Sequence, residues 1–314
     1  MGLYSHGQGL AVTSDNVFWQ RNSMNWKGYL MAALAAAFYG TNPIFSVPVY
    51  SYGMNASSIL LFRYLLGFPF LGLLVFLRHE RLILFKREIM PVAALGVLMA
   101  CSSLALYECY HFMNAGIAST LLFMYPLLTA LIMTAVFREK FHPVTGISLL
   151  VMTAGLYLLM QPGAGTGFNL TGFVLIFISS LTYAVYLVMI KVCKNINALN
   201  PLQSLFWQLL FGSSVFFVSC IFENGIILPH TIFEWLNLSA LAIFPTVLSL
   251  LFTIRAIVII GPTPTALFGA LEPVTAVIAS YFVLGETVSA IEICGALLII
   301  ISTMLAMLIN AGKN

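Results

Sequence analysis

The chain has 314 residues, of which 61% are hydrophobic and 7% charged, with a net charge of +3. Soluble domains carry about 25% charged residues, so this composition excludes a water-soluble enzyme and a disordered chain. The small positive charge excludes a nucleic-acid binder. A bilayer core needs about 20 apolar residues per helix, and the length therefore admits roughly ten spans with little chain left outside the membrane.

Residues 1–26 are polar and mixed, without the apolar stretch and cleavage site of a signal peptide. They are predicted to form a cytoplasmic tail. From Lys27 onward hydropathy predicts spans at 28–48, 56–77, 91–113, 115–136, 144–161, 170–190, 202–222, 234–254, 263–284 and 288–309. The predicted fold is an all-α polytopic membrane protein. With the N-terminus in the cytoplasm, Arg21, Lys27, Arg78, Arg81, Lys86, Arg87, Arg138, Lys140, Lys191, Lys194, Arg255 and Lys313 all fall on the cytoplasmic side. The remaining cation, Arg63, lies inside span two. This asymmetry predicts a cell inner (plasma) membrane protein with both termini cytoplasmic. The five cysteines form no Cys-x-x-Cys and no Cys/His cluster, so neither a metal site, a disulfide framework nor a cofactor is expected.

The two halves resemble each other. Pro126 precedes Glu139 by 13 residues, and Pro273 precedes Glu286 by 13. Phe62-Arg63-Tyr64-Leu65-Leu66 aligns with Phe206-Trp207-Gln208-Leu209-Leu210 at an offset of 144, as does Tyr39 with Tyr183. Five spans per half is an odd number, so the halves, 27–161 and 162–314, are expected to be two inverted five-helix repeats. Such repeats place a transport site at the midplane between them.

Phe38-Tyr39-Gly40-Thr41-Asn42-Pro43, Phe62-Arg63-Tyr64, the run from Ala118 to Leu128 with Tyr125-Pro126, and the run from Gly261 to Glu286 with Leu271-Glu272-Pro273 together resemble the EamA-type branch of the drug/metabolite transporter superfamily. The likeness covers about residues 25–310. It implies ten helices in two inverted repeats and movement of small metabolites, often outward. Tyr39 stands where Trp is usual, and Pro43 follows the Asn.

Several residues are candidates for transport. A charge at mid-helix is expensive and needs a partner. Arg63 and Glu108 are predicted at equal depth, as an outer gate or substrate clamp, or as a structural ion pair. His111, one turn from Glu108, would relay protons or bond a carbonyl. Tyr125 and Glu272 precede the matched Pro126 and Pro273, and each proline leaves a carbonyl without its helical amide, at Leu122 and Gly269. Glu272 would bind an ammonium group, exchange a proton, or pair within the bundle. Asn42 and Thr41 flank a third break, at Pro43. Tyr183, Tyr186, Trp207 and Gln208 give the second half an amphipathic lining. Ala32, Ala33, Ala35, Ala36, Ala37, Ala266, Gly269 and Ala270 are read as close helix packing. Asn55, Asn169 and Asn237 fall in Asn-x-Ser/Thr sequences. No catalytic set is present, and the glycines from Gly163 to Gly167 lack the Gly-Lys-Ser/Thr ending of a phosphate loop.

The function expected is a secondary active transporter, an exporter of a small polar metabolite such as an amino acid, with protons as a coupling ion. A flippase for a lipid-linked or amphipathic molecule and a non-transporting membrane sensor or assembly protein are the alternatives.

Overall fold

A computed structural model of the chain describes residues 14–80, 82–109, 112, 122–138, 143–159, 169–197, 199–223, 225–272, 274–275, 278 and 290–311. The calls on Arg81, His111, Glu139, Lys140, the glycines from Gly163 to Gly167, Pro273, Glu286 and Lys313 lie outside these residues. Helices α1 (Ser14–Gly40) and α2 (Asn42–Ser51) form the first span, with α1 starting inside the expected tail. Helices α3 (Ala56–Leu65) and α4 (Gly67–Leu77) form the second, α5 (Lys86–Cys109) the third, α6 (Tyr125–Ala135) part of the fourth and α7 (Pro143–Leu159) the fifth. The second half comprises α8 (Leu170–Val192), α9 (Pro201–Phe222), α10 (Ile232–Leu241), a π-helical turn (Ala242–Leu248), α11 (Ser249–Ile260), α12 (Pro262–Phe268) and α13 (Ala290–Ala311). Among the described residues six helical stretches are long and apolar enough to cross a membrane, and three shorter apolar helices accompany them. Large apolar side chains such as Phe76, Met90, Leu150 and Phe222 point outward, as a lipid-facing surface requires.

Helix packing follows the repeat. Helix α1 lies on α11 and α8 lies on α5, α3 and α4 lie on α9, and α7 lies on α13. Exchanging the halves maps the first of these contacts onto the second and the others onto themselves. Side chains obey the same exchange. Ser102 Oγ donates to the Ser179 carbonyl at 3.0 Å, and Ser249 Oγ donates to the Ala35 carbonyl at 2.9 Å. Ser249 is Ser102 plus 147, the Pro126-to-Pro273 offset, and Ser179 is Ala35 plus 144. Where α7 crosses α13, Ser302 Oγ donates to the Ser148 carbonyl at 2.8 Å. The related pair is Gly155 and Gly295, packed so closely that a Cβ on Gly155 would lie 2.8 Å from the Gly295 oxygen. Such hydrogen bonds average only about 0.6 kcal/mol in membrane proteins, so small residues and close packing hold the halves together more than the bonds do.

Carbonyls freed at helix breaks find substitute donors. Pro126 denies an amide to the Leu122 carbonyl, and Ser180 Oγ from α8 donates to it at 3.0 Å. Pro245 does the same to Leu241, whose carbonyl accepts from Thr246 Oγ1 at 2.7 Å and opens the π-helical turn. The Gly269 carbonyl accepts from the Glu272 amide at 2.9 Å. The expectation of unpaired carbonyls at Leu122 and Gly269 is therefore corrected: neighbouring groups take both, because an open backbone acceptor in hydrocarbon costs several kcal/mol.

Helices α3/α4 and α9 run antiparallel and are fastened at both ends. Asn55 caps α3 through the Ser58 amide, and its Nδ2 donates to Glu223 Oε2, just past the end of α9, at 3.1 Å. Asn200 caps α9 through the Leu202 amide and donates to Glu80, just past the end of α4. Ser57 adds a 2.6 Å bond to Glu223, while Gln203 and Trp207 donate to the Ile83 and Leu82 carbonyls at the opposite end. In a double-mutant cycle of Asn55→Ala and Glu223→Gln, reversible unfolding in detergent is expected to show about 1–2 kcal/mol of coupling, the worth of a charge-assisted hydrogen bond. Additive single effects would mean that Asn55 acts only as a cap.

Candidate functional site

The proline breaks converge between the halves. There α1, α6, α8, α11 and α12 surround a cavity of about 10 Å³, room for about one water molecule, lined by Ala32, Ala35 and Ala36, by Tyr125, Tyr183 and Leu187, and by Thr253, Thr265, Ala266, Gly269 and Glu272. A pocket for a drug-sized ligand has ~300–1,000 Å³, so the cavity is closed in this conformation. Both halves contribute. The alanines, expected to serve packing alone, also create this space by leaving it unfilled.

Tyr125 sits at the start of α6, where the helix resumes at Pro126. It is buried and meets Tyr183 of α8 edge-on, with ring centroids 4.8 Å apart. Gly269 gives the Tyr125 hydroxyl its room, because a Cβ there would run into it. Tyr183 stacks in turn on Tyr186, 6.0 Å away. Glu272 follows the 269–270 turn and lines the cavity. Among the described residues no hydrogen bond or ion pair reaches its carboxylate. Tyr125 and Glu272 are 147 residues apart, so the repeat places a phenol and a carboxylate at equivalent positions of one cavity.

Arg63 is not in the lining of this cavity. It is 2% exposed. Its Nε donates to Thr246 Oγ1, its Nη2 to the Pro245 carbonyl at 3.0 Å, and its Nη1 to Asn42 Oδ1 at 3.5 Å. Its guanidinium carbon lies 5.7 Å from the centroid of the Tyr39 ring. The expected ion pair between Arg63 and Glu108 is therefore corrected. The π-helical turn at Pro245 presents a free carbonyl and a hydroxyl to α3, and the forked guanidinium takes these neutral acceptors instead. Glu108 lies near the end of α5, with partners of its own.

The remaining candidates separate. Gln208 is buried and sits in a chain of bonds, accepting from Tyr186 Oη at 3.0 Å and donating to Ser204 Oγ at 2.8 Å. Trp207 is not in the lining: its indole N–H bonds the Leu82 carbonyl at 2.7 Å, because a buried indole donor needs an acceptor. Asn42 opens α2 after the break at Thr41, beside Pro43, and meets Arg63. Residues that the sequence reading passed over are Pro245 and Thr246, and the signal for them was a proline inside the apolar run 234–254. Asn55 and Asn169, noted for their Asn-x-Ser/Thr sequences, cap α3 and α8.

A model of the EamA-like transporter family matches residues 26–161 and again residues 170–308. An uncharacterized transporter of Archaeoglobus fulgidus is 23% identical over 284 residues, covering 89% of this chain and 96% of that protein. A protein of known crystal structure superposes with a TM-score of 0.76 at 17% identity, over 90% of this chain and 96% of its own. It shares the fold.

Proposed function

Because the chain belongs to the EamA-like transporter family, a family of multi-pass membrane transporters, we propose that it is a secondary carrier that exports a small polar metabolite such as an amino acid. It works by alternating access around the Glu272 cavity. The observation that carries this reading is the cavity itself, set where two repeats meet and walled by both, with broken helices and one carboxylate around it. The repeats are taken as residues 27–161 and 162–314, behind an N-terminal tail of residues 1–26. Both termini are placed in the cytoplasm and the protein in the cell inner membrane, on the strength of the Lys and Arg distribution. Without a phosphate-loop sequence the energy source is a gradient, with protons, exchanged at Glu272, as the coupling ion.

The test is flux through the purified protein in lipid vesicles. Saturable movement of small polar solutes, accelerated by an imposed pH gradient and indifferent to ATP, is expected. Movement of labelled lipid without solute flux would replace the carrier with the flippase. Solute binding without any flux would make the protein a sensor.

A further inference from the structure

Arg63 does not line the cavity, but it grips the segment that aims one of its walls. The π-helical turn Ala242–Leu248 joins α10 to α11 without a gap. In an α-helix the Ser249 amide bonds the carbonyl four residues back, which is Pro245. Here it bonds the carbonyls of Phe244 and Thr246 instead, and the Pro245 carbonyl accepts from Arg63 Nη2 at 3.0 Å. Arg63 Nε donates to Thr246 Oγ1, which in turn donates to the Leu241 carbonyl, five residues back, at 2.7 Å. One guanidinium thus holds acceptors on two successive residues of the turn. Proline alone does not make such a turn: Pro91 stands inside α5, and the α-helix runs on past it. The repeat does not make it either. At the offset of 147 the turn matches residues 95–101, also inside α5, and Arg63 matches Trp207 of α9. The related crossing, α9 on α5, has neither the arginine nor the π-helical turn.

Beyond the turn, Ser249 Oγ is bonded to the Ala35 carbonyl, and Thr253 Oγ1 donates to the Ser249 carbonyl at 2.9 Å. Thr253 lines the cavity. Its neighbour Phe252 does not, and stacks on Phe38 with ring centroids 5.9 Å apart.

We propose that Arg63 is a positioning residue for the cavity: by keeping the turn in its π register it fixes the rotation of α11, and its release lets the turn close to an α-helix and brings Phe252 to the place of Thr253. A π-helical turn absorbs one extra residue. When it closes with α10 held, each residue beyond it moves by one place, about 100° of rotation and about 1.5 Å of rise. The Pro245 carbonyl regains the Ser249 amide, so closing leaves no acceptor open in hydrocarbon. A phenyl ring then stands where a hydroxyl stood, in a wall with room for about one water molecule, and the cavity is filled. The same geometry accounts for a costly cation inside the membrane, because a planar fork reaches two separate acceptors at once. The bearing on transport rests on the carrier reading above; the register of the turn does not.

The experiment reads that register without a solute. In purified protein in detergent, Ala32→Cys, a lining position on α1, which packs on α11, is combined in turn with Thr253→Cys and with Phe252→Cys. Disulfide formation under mild oxidation is followed by mass spectrometry of the linked peptides. With Arg63 in place the 32–253 pair is expected to form faster than the 32–252 pair. In Arg63→Gln the order should invert, a shift of one residue along α11. The order is read within the folded fraction of each variant, so lost stability alone does not move it. An unchanged order in Arg63→Gln, or a faster 32–252 pair with Arg63 in place, overturns the inference. If Arg63→Gln does not fold, Thr246→Val, which removes the hydroxyl between Arg63 and the Leu241 carbonyl, must give the inversion or the inference falls. Either failure leaves the carrier reading standing, and absence of flux from wild-type vesicles removes that reading without touching the register.

Discussion

Glu272→Gln is expected to lower flux by about 10–100-fold, the loss of a charge-assisted contact to the solute or proton, and to make the residual flux indifferent to pH. The amide keeps the shape of the carboxylate but cannot exchange a proton. Because no side-chain bond to Glu272 is found among the described residues, the fold should not notice the change. A melting temperature within about 2 °C of wild type, little over 1 kcal/mol for a chain of this size, is the companion result. Flux and melting temperature measured on one preparation separate the readings. A variant that melts much earlier yet transports normally at every pH would make Glu272 a structural residue and remove the coupling site from the cavity.

Gly40→Ala should be the most damaging single-methyl change in the site. Its Cβ would collide with Thr275 Oγ1 and the carbonyl oxygen of Glu272. A hydroxyl can rotate away, but a backbone carbonyl cannot, so the Glu272 segment must shift. Overpacking of this kind costs about 1–3 kcal/mol, a fall of roughly 1.5–4.5 °C in melting temperature for a chain of this size. Flux should fall further than stability, because the displaced atoms belong to Glu272, which lines the cavity. Gly72→Ala is the control: nothing lies within 4 Å of its added Cβ, and it should leave both quantities unchanged. Equal behaviour of the two variants would refute the close approach of α1 to the Glu272 segment.

Much of the architecture was legible because membrane spans are written in a coarse code. Apolar runs, short polar gaps and one-sided cations located helices such as Ala56–Leu77 and Leu170–Val192 to within a few residues. The offsets of 144 and 147 reappear in the structure as the paired contacts Ser102–Ser179 and Ala35–Ser249. Side-chain pairing was harder. Depth in the membrane suggested Glu108 for Arg63, but depth says nothing about the direction a helix face points, and the acceptors came from a backbone irregularity at Pro245. Trp207 looked like part of an amphipathic lining with Tyr183, Tyr186 and Gln208, yet its indole N–H is held by the Leu82 carbonyl. The end fastenings hid for another reason. Asn55 and Glu223 are 168 residues apart, and their sequence trace is only an asparagine before each helix of the pair and a glutamate after it.

Those fastenings bear on the sense of the traffic. An asparagine amide on a carboxylate closes one end of the α3/α4–α9 pair, and the same chemistry closes the other. Ser57 reinforces one and Gln203 with Trp207 the other. On the carrier reading proposed above, a bundle that unclasps at either end breaks the same kind of bond, an asparagine amide on a carboxylate. On that reading the direction of net flux would be set by the solute and proton gradients. Weakening one clasp, as in Asn200→Ala, would tilt the molecule toward one resting posture without reversing the net flow.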